Sequence, residues 1–222
     1  AVAFGMGPDR MAALGDGLSP SLRDWLQTAA PQAVLADVEV AALPGGPARV
    51  AARIENLGFA PVGTTPGLHG LTGTLAGDAD GLLFRPDPQA RPVFDWPKGF
   101  GVPHPLRLTG DIAAWREDGD WRVETPALRI EGEGYAADVR GGLAFHGNGR
   151  RPRIDLAAVV DPAQIPVAKK FWVRHEMPAA AMDWLNMALV AGTVRDGRAI
   201  VSGELGDWPF GSADGHDRRR RS

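Results

Sequence analysis

The sequence contains no cysteine, which excludes disulfides, thiolate metal sites and cysteine nucleophiles. It has no run of about 18 apolar residues, so no segment is suited to cross a bilayer as a helix, and no basic-then-apolar leader opens it at Ala1. Serine is sparse, and neither a G-x-S-x-G elbow nor a P-loop occurs. Lysine is confined to Lys98, Lys169 and Lys170, so arginine carries nearly all the positive charge. A basic face interleaved with aromatic residues, the mark of nucleic-acid binding, is missing too. The 24 basic residues stand against 27 acidic ones for a net charge of −3, and the one long basic run, Arg218 to Arg221, lies at the C-terminus. Glycine and proline, by contrast, are plentiful: 29 and 19 of 222 residues. That share, about 22%, lies below the roughly 25–30% of low-complexity chains, and it implies an ordered chain with frequent turns.

The turns fall between alternating runs. Pro44-Gly45-Gly46-Pro47 separates Val34-x-Ala36-x-Val38-x-Val40 from Val50-x-Ala52-x-Ile54, and Gly77-Asp78-Ala79-Asp80-Gly81 follows Leu71-x-Gly73-x-Leu75. Asp118-Gly119 divides Leu106-x-Leu108-x-Gly110-x-Ile112 from Trp121-x-Val123. Gly132-Glu133-Gly134 introduces Tyr135-x-Ala137-x-Val139-x-Gly141-x-Leu143-x-Phe145, Asn148-Gly149 precedes Ile154-x-Leu156-x-Ala158-x-Val160, and Asp196-Gly197 precedes Ala199-x-Val201. Asn-Gly and Asp-Gly suit the positive-φ turns whose twist matches two antiparallel strands. Period-two alternation gives each strand one apolar and one polar face. The pattern predicts an antiparallel meander of roughly nine or ten strands. Its phase slips once, between Val123 and Leu128, and Pro126 at the slip predicts a bulge or break that restores a common apolar face.

Two amphipathic helices are expected. Ser19-Pro20 reads as an N-cap with proline at the first helical position, followed by Leu22, Trp25 and Leu26 on one face. The second starts near Pro178 and ends at Gly192, with Met182, Leu185 and Leu189 at helical spacing and Trp184 beside them. Asp161 to Lys170 has room for a shorter helical turn interrupted by Pro166, and the proline-rich stretch 86–104 reads as a loop or edge segment.

Chemistry-bearing motifs are few. Gly132-Glu-Gly134-Tyr-Ala-Ala137 matches G-x-G-x-x-A in letters, but the dinucleotide site needs a helix after the glycines, and a strand pattern follows instead. His69, His104, His146, His175 and His216 are scattered, without zinc-helix spacing, and read as surface or loop residues. The acidic groups Glu117-Asp118 with Asp120, and Asp78 with Asp80, could act as paired carboxylates but lie in predicted turns facing solvent. Arg150, Arg151 and Arg153 flank the Asn148-Gly149 turn, where a guanidinium fork could meet a lipid phosphate or simply be solvated. Apolar strand faces either close a sandwich core or line an open groove, and the pattern by itself permits both. Its largest apolar positions are Val38, Ile54, Leu75, Leu108, Ile112, Val123, Ile130, Leu143, Phe145, Ile154 and Leu156.

The stretch Met177 to Phe210 combines a proline, a short helix carrying Trp184-Leu185, a glycine-bounded strand, and Gly203-x-Leu205 leading to Trp208-Pro209-Phe210. With Trp25-Leu26, Leu35-Ala36-Asp37-Val38, Leu71-x-Gly73 and Asp80-Gly81-Leu82-Leu83, it resembles the AsmA-like, YhdP-type family of large periplasmic bridge proteins, over roughly residues 15–210. The resemblance implies a mainly β chain with minor α, an antiparallel meander forming a curved, groove-like extended sheet with two short amphipathic helices. Residues 1–210 would be the groove segment and 211–222 an unmatched, disordered tail. It further implies a non-enzymatic role without cofactors or metals: holding phospholipid acyl chains against the eleven apolar positions above, in the periplasm. Anchorage to the inner membrane, and reach to the outer one, would come from other parts of a longer chain. A closed β-sandwich interaction module of the envelope and a carbohydrate-active enzyme are the rival expectations.

Overall fold

A computed structural model describes residues 2–5, 20–42, 44–146, 150–172 and 177–207. In chain order the elements are β1 (Val2–Gly5), α1 (Pro20–Ala29), β2 (Gln32–Ala41), β3 (Arg49–Phe59), β4 (Gly67–Gly77), β5 (Gly81–Pro86), β6 (Val93–Asp95), β7 (His104–Pro105) and β8 (Arg107–Gly110). They continue with β9 (Ile112–Glu117), β10 (Asp120–Gly132), β11 (Tyr135–Phe145), β12 (Arg153–Val160), β13 (Ala163–Gln164), α2 (Ile165–Ala168), α3 (Ala179–Ala188), β14 (Thr193–Val194) and β15 (Gly197–Glu204). A 13-stranded antiparallel sheet follows the order β1-β2-β3-β4-β5-β9-β10-β11-β12-β15, with β6 on β4, β7 on β6 and β8 on β10. β13 and β14 pair only with each other. The sheet is open: among the described residues β1 and β15 are the two ends of this path.

Local chemistry explains the hairpins. Asp118 (φ 52°) and Gly119 (φ 89°) both take left-handed conformations between β9 and β10, the geometry of a primed turn. Asp78 Oδ1 accepts hydrogen bonds from the amides of Asp80 (3.0 Å) and Gly81 (3.2 Å), closing the turn between β4 and β5. The predicted slip in β10 is a register shift between Thr125 and Leu128. Glycine on each flanking strand lets β10 approach closely here: a Cβ on Gly110 (φ 135°) would stand 2.3 Å from the Ala127 oxygen, and one on Gly142 would stand 2.0 Å from the Val123 oxygen. Thr125, buried, donates from Oγ1 to the Asp111 carbonyl at 2.7 Å and ties the shifted strand to the β8–β9 junction. Further shifts occur in β2 around Asp37 (φ 50°) and in β3 around Asn56 (φ 53°).

Several expectations are corrected. The described residues form fifteen strands against the nine or ten expected, because short strands with distant partners add to the meander; the stretch 86–104, expected as a loop or edge segment, holds β6 and the start of β7, off the main path. The described residues form three helices: the helical turn expected within Asp161 to Lys170 is α2, which Pro166 opens at its first turn, where proline lacks no needed hydrogen bond, instead of interrupting it. Pro178 caps α3, and Trp184, expected beside the buried face, is 63% exposed. α1 begins at Pro20; the proposed cap Ser19, the Asn148-Gly149 turn, His175, His216, the Trp208-Pro209-Phe210 motif and the 211–222 tail lie outside the described residues. The Gly132-Glu133-Gly134 turn is followed by β11, so the dinucleotide reading is excluded.

Candidate functional site

Residues paired across an antiparallel ladder project to the same side, so register alone sorts the sheet into two faces. Ile54 pairs with Gly73, Leu75 with Ala52 and Phe84, and Phe84 with Ile112. Ala114 pairs with both Leu82 and Val123, Val123 with Leu143, Leu143 with Ile154, and Leu156 with Val201. Beyond the β10 shift, Leu128 pairs with Val139 and Ile130 with both Leu108 and Ala137, and Val139 keeps the parity of Leu143. Trp121 pairs with Phe145 on the same side. Val38 sits with Asp37 in the shifted stretch opposite the single residue Ala52. The structure therefore brings the predicted positions onto one apolar face, from β2 to β12. The candidate lining positions left out several neighbours on that face: Leu128, Val139 and Val201, which the alternation of the sequence already placed there, and Leu82 and Phe84.

That face is mostly uncovered. Among the described residues the buried apolar side chains are Ala29, Ala33, Ala52, Ile54, Leu71 and Leu108. Ile54 and Leu108 thus belong to a small core. Leu75, Ile112, Val123, Ile130, Leu143, Ile154 and Leu156 are half-buried, and Val38 and Phe145 are 48% and 41% exposed. No second sheet faces them among the described residues, since the remaining ladder has two residues per strand. The closed sandwich is excluded.

The opposite face is a lattice of ion pairs along strands, between strands and to the turns at their ends. Arg53 meets Asp87 at 3.0 Å and Glu55 at 3.3 Å, Arg85 meets Asp111 at 2.8 Å, and Arg107 meets Glu131 at 3.5 Å. Arg122 contacts Glu117, Arg129 joins Asp138 (2.9 Å) and Asp161, and Arg153 meets Asp155 (2.8 Å), which also accepts from Ser202. The guanidinium hydrogen bonds hold the carboxyls of Asp111, Asp155 and Asp161 below the usual carboxylate range. Asp87 is lowered too, by the Gln89 amide first and Arg53 second. Arg153 is thereby engaged on the charged face, away from the apolar one where a lipid would lie.

The two rims of the apolar face differ. At the rim formed by the ends of β3 and β10 and the start of β11, α1 sets Trp25 edge-on to Phe59 (5.5 Å), and the Ala60 amide donates to the Ala29 carbonyl at 2.8 Å. Beside it, Phe100, from the loop between β6 and β7, and Phe171, from the turn Lys169–Phe171 after α2, lie over Phe94, His104 and Tyr135. Phe171 stacks on His104 (5.2 Å) and meets Tyr135 at 4.5 Å; Phe100 meets Phe171 at 5.5 Å and His104 at 5.4 Å. Lys170 Nζ pairs with Glu133 at 2.8 Å and anchors that turn to the β10–β11 hairpin. His104, expected at the surface, is buried, with Nε2 unpartnered. Burial first, then the charge of Lys170, pushes its pKa down. The other rim, made of hairpins, carries exposed Trp121 and Phe145 without such a cover. There, on the charged face, His146 bridges Asp120 (3.0 Å) and Glu204 (3.2 Å), which together raise its pKa.

The acidic turns offer no free catalytic pair: Asp78 closes its own turn, Glu117 is paired with Arg122, and Asp120 with His146. No group of histidine and carboxylate residues able to hold a metal exists among the described residues, and no helix among them is long and apolar enough to cross a membrane. Two shallow depressions lie on the charged face around Arg140, Ala157 and Ile200.

Comparison with known families settles the kinship that the open sheet suggests. The family model described as YhdP protein matches residues 8–216. The chain belongs to the YhdP family. No curated protein and no solved structure matches it. The two-faced open sheet is thus the form the YhdP-family sequence takes over the described part of this match, and it fits a segment of a lipid-transport bridge.

Proposed function

We propose that this chain is a non-enzymatic segment of an envelope lipid-transfer bridge, holding phospholipid acyl chains against the apolar face while head groups remain in water. It works without cofactor or metal, in the periplasm, and reaches the inner and outer membranes through other parts of a longer chain. The observation that carries this is the asymmetry of the sheet: one face is a run of aliphatic side chains that the described residues cover only at one rim, and the other is knitted by charge pairs. An apolar strip in water is unfavourable, and each 100 Å² of it that an acyl chain covers contributes about 2.5 kcal/mol. Binding of this kind needs no shape-specific pocket, which suits movement of lipid along a surface.

The test is site-specific photo-crosslinking in cells, with the reactive side chain at Val123, Leu143 or Leu156, and at Leu83 or Ala157 on the charged face as controls. Phospholipid adducts should form at the first three positions and not at the controls. Equal labelling of both faces, or none at the first three, would overturn the proposal.

A further inference from the structure

By register, the apolar face carries one charged residue among the described positions paired in the main sheet, and that residue is Arg116. Arg116 pairs with Trp121, which pairs in turn with Phe145. Arg116, Trp121 and Phe145 therefore stand in a row across β9, β10 and β11, at the uncovered hairpin rim, and all three are exposed. Arg122, the next arginine along the chain, faces the other way and is taken by Glu117. The Arg116 backbone amide donates to the Asp80 carbonyl at 3.2 Å, which fixes the strand position, while its guanidinium makes no ion pair with any described residue. A lone guanidinium at the border between an aliphatic surface and water, beside an indole, has the chemistry that takes a phosphate oxygen pair: a planar fork of donors, weakly hydrated, always charged.

Resting on the lipid-binding proposal above, we infer that Arg116, flanked by Trp121, is the head-group site of this segment and binds the phosphodiester of a phospholipid whose tails run across the face toward the aromatic cluster. The dimensions agree. From Phe145 to Ala137 along β11 is about 27 Å at about 3.4 Å per residue, and a single leaflet of hydrocarbon is about 15 Å thick, so one acyl chain fits between the Arg116 rim and the rings of Tyr135 and Phe171. Those rings close the far side, which gives the bound lipid a direction.

The experiment compares binding of two probes carrying the same acyl-chain fluorophore, phosphatidylglycerol and diacylglycerol, to the full chain. The parent protein should prefer phosphatidylglycerol by about fivefold or more. Arg116→Gln should abolish that preference while leaving diacylglycerol binding unchanged, Arg116→Lys should retain part of it, and Arg140→Gln on the charged face should leave it intact. Millimolar inorganic phosphate should not displace the lipid. An undiminished preference in Arg116→Gln, or an equal loss in Arg140→Gln, would overturn the inference while leaving the lipid face standing. Displacement by millimolar phosphate would assign the site to the free anion instead and overturn the head-group role. Failure of either probe to bind the parent protein would overturn the lipid-binding proposal itself, and with it this inference.

Discussion

His104 and His146 stand at opposite rims of the sheet and answer acid in opposite directions. The His146 pKa is raised by Asp120 and Glu204, so its contribution to stability is complete below the ordinary value of about 6.5 and fades as pH rises through the higher folded-state value. The His104 pKa is lowered by burial and Lys170, so its contribution is complete above about 6.5 and fades as pH falls below it. Urea midpoints measured from mildly acidic to mildly alkaline pH should therefore show His146→Gln losing the alkaline decline and His104→Phe losing the acid decline. Parent-like curves in both variants would refute the two assignments. Gly141 makes a backbone prediction at the same scale. Its left-handed φ and the 2.0 Å approach of the Asp155 oxygen to a would-be Cβ mean that Gly141→Ala should cost about 2 kcal/mol or more in denaturant unfolding. Gly45, where a Cβ meets nothing within 4 Å, is the control, since there only the φ of 77° opposes alanine.

Among the elements, the strands were legible from the sequence because alternation is a local property. Leu143 and Phe145 share a side for the same reason that Ile154 and Leu156 do, two positions apart on one strand, and the Asp118-Gly119 turn carries the parity from β9 to β10. The slip at Pro126 was legible too, since a proline that cannot join a ladder coincided with a change of phase. What escaped was set by partners far along the chain. β6 is three residues long and exists because β4 and β7 flank it; nothing in Val93-Phe94-Asp95 alone calls for a strand. His104 is buried because Phe100 and Phe171 converge on it, and neither ring is near it in a strand pattern. Trp184, the one aromatic residue of α3, is exposed, because Met182 and Leu185 take the half-buried side of the helix. Arg116 was within reach of parity counting, but an arginine on an apolar face looks like an ordinary surface residue until both neighbours across the ladder are known.

For the whole molecule, the decisive distinction is between a face that folds the protein and a face that serves a ligand. Leu143 and Leu156 are half-buried with no layer of described residues above them, so Leu143→Glu with Leu156→Glu should leave the thermal midpoint within a few degrees of the parent while strongly weakening phospholipid capture. The same change at Leu108, which is buried, should unfold the protein, since an unpaired charge would enter a packed site. If Leu143→Glu with Leu156→Glu instead collapses the fold, the face is a core and the transfer role fails.

The ladder edges at β1 and β15 have a consequence for scale. Successive strands sit about 4.8 Å apart, so the ten-strand path from β1 to β15 measures about 43 Å from first to last. Any strand joined to either margin in the same register would prolong the oily lane by another increment of that size, with no new fold to invent. The length of such an apolar face is thus a matter of counting strands, as the length of a ladder is a matter of counting rungs.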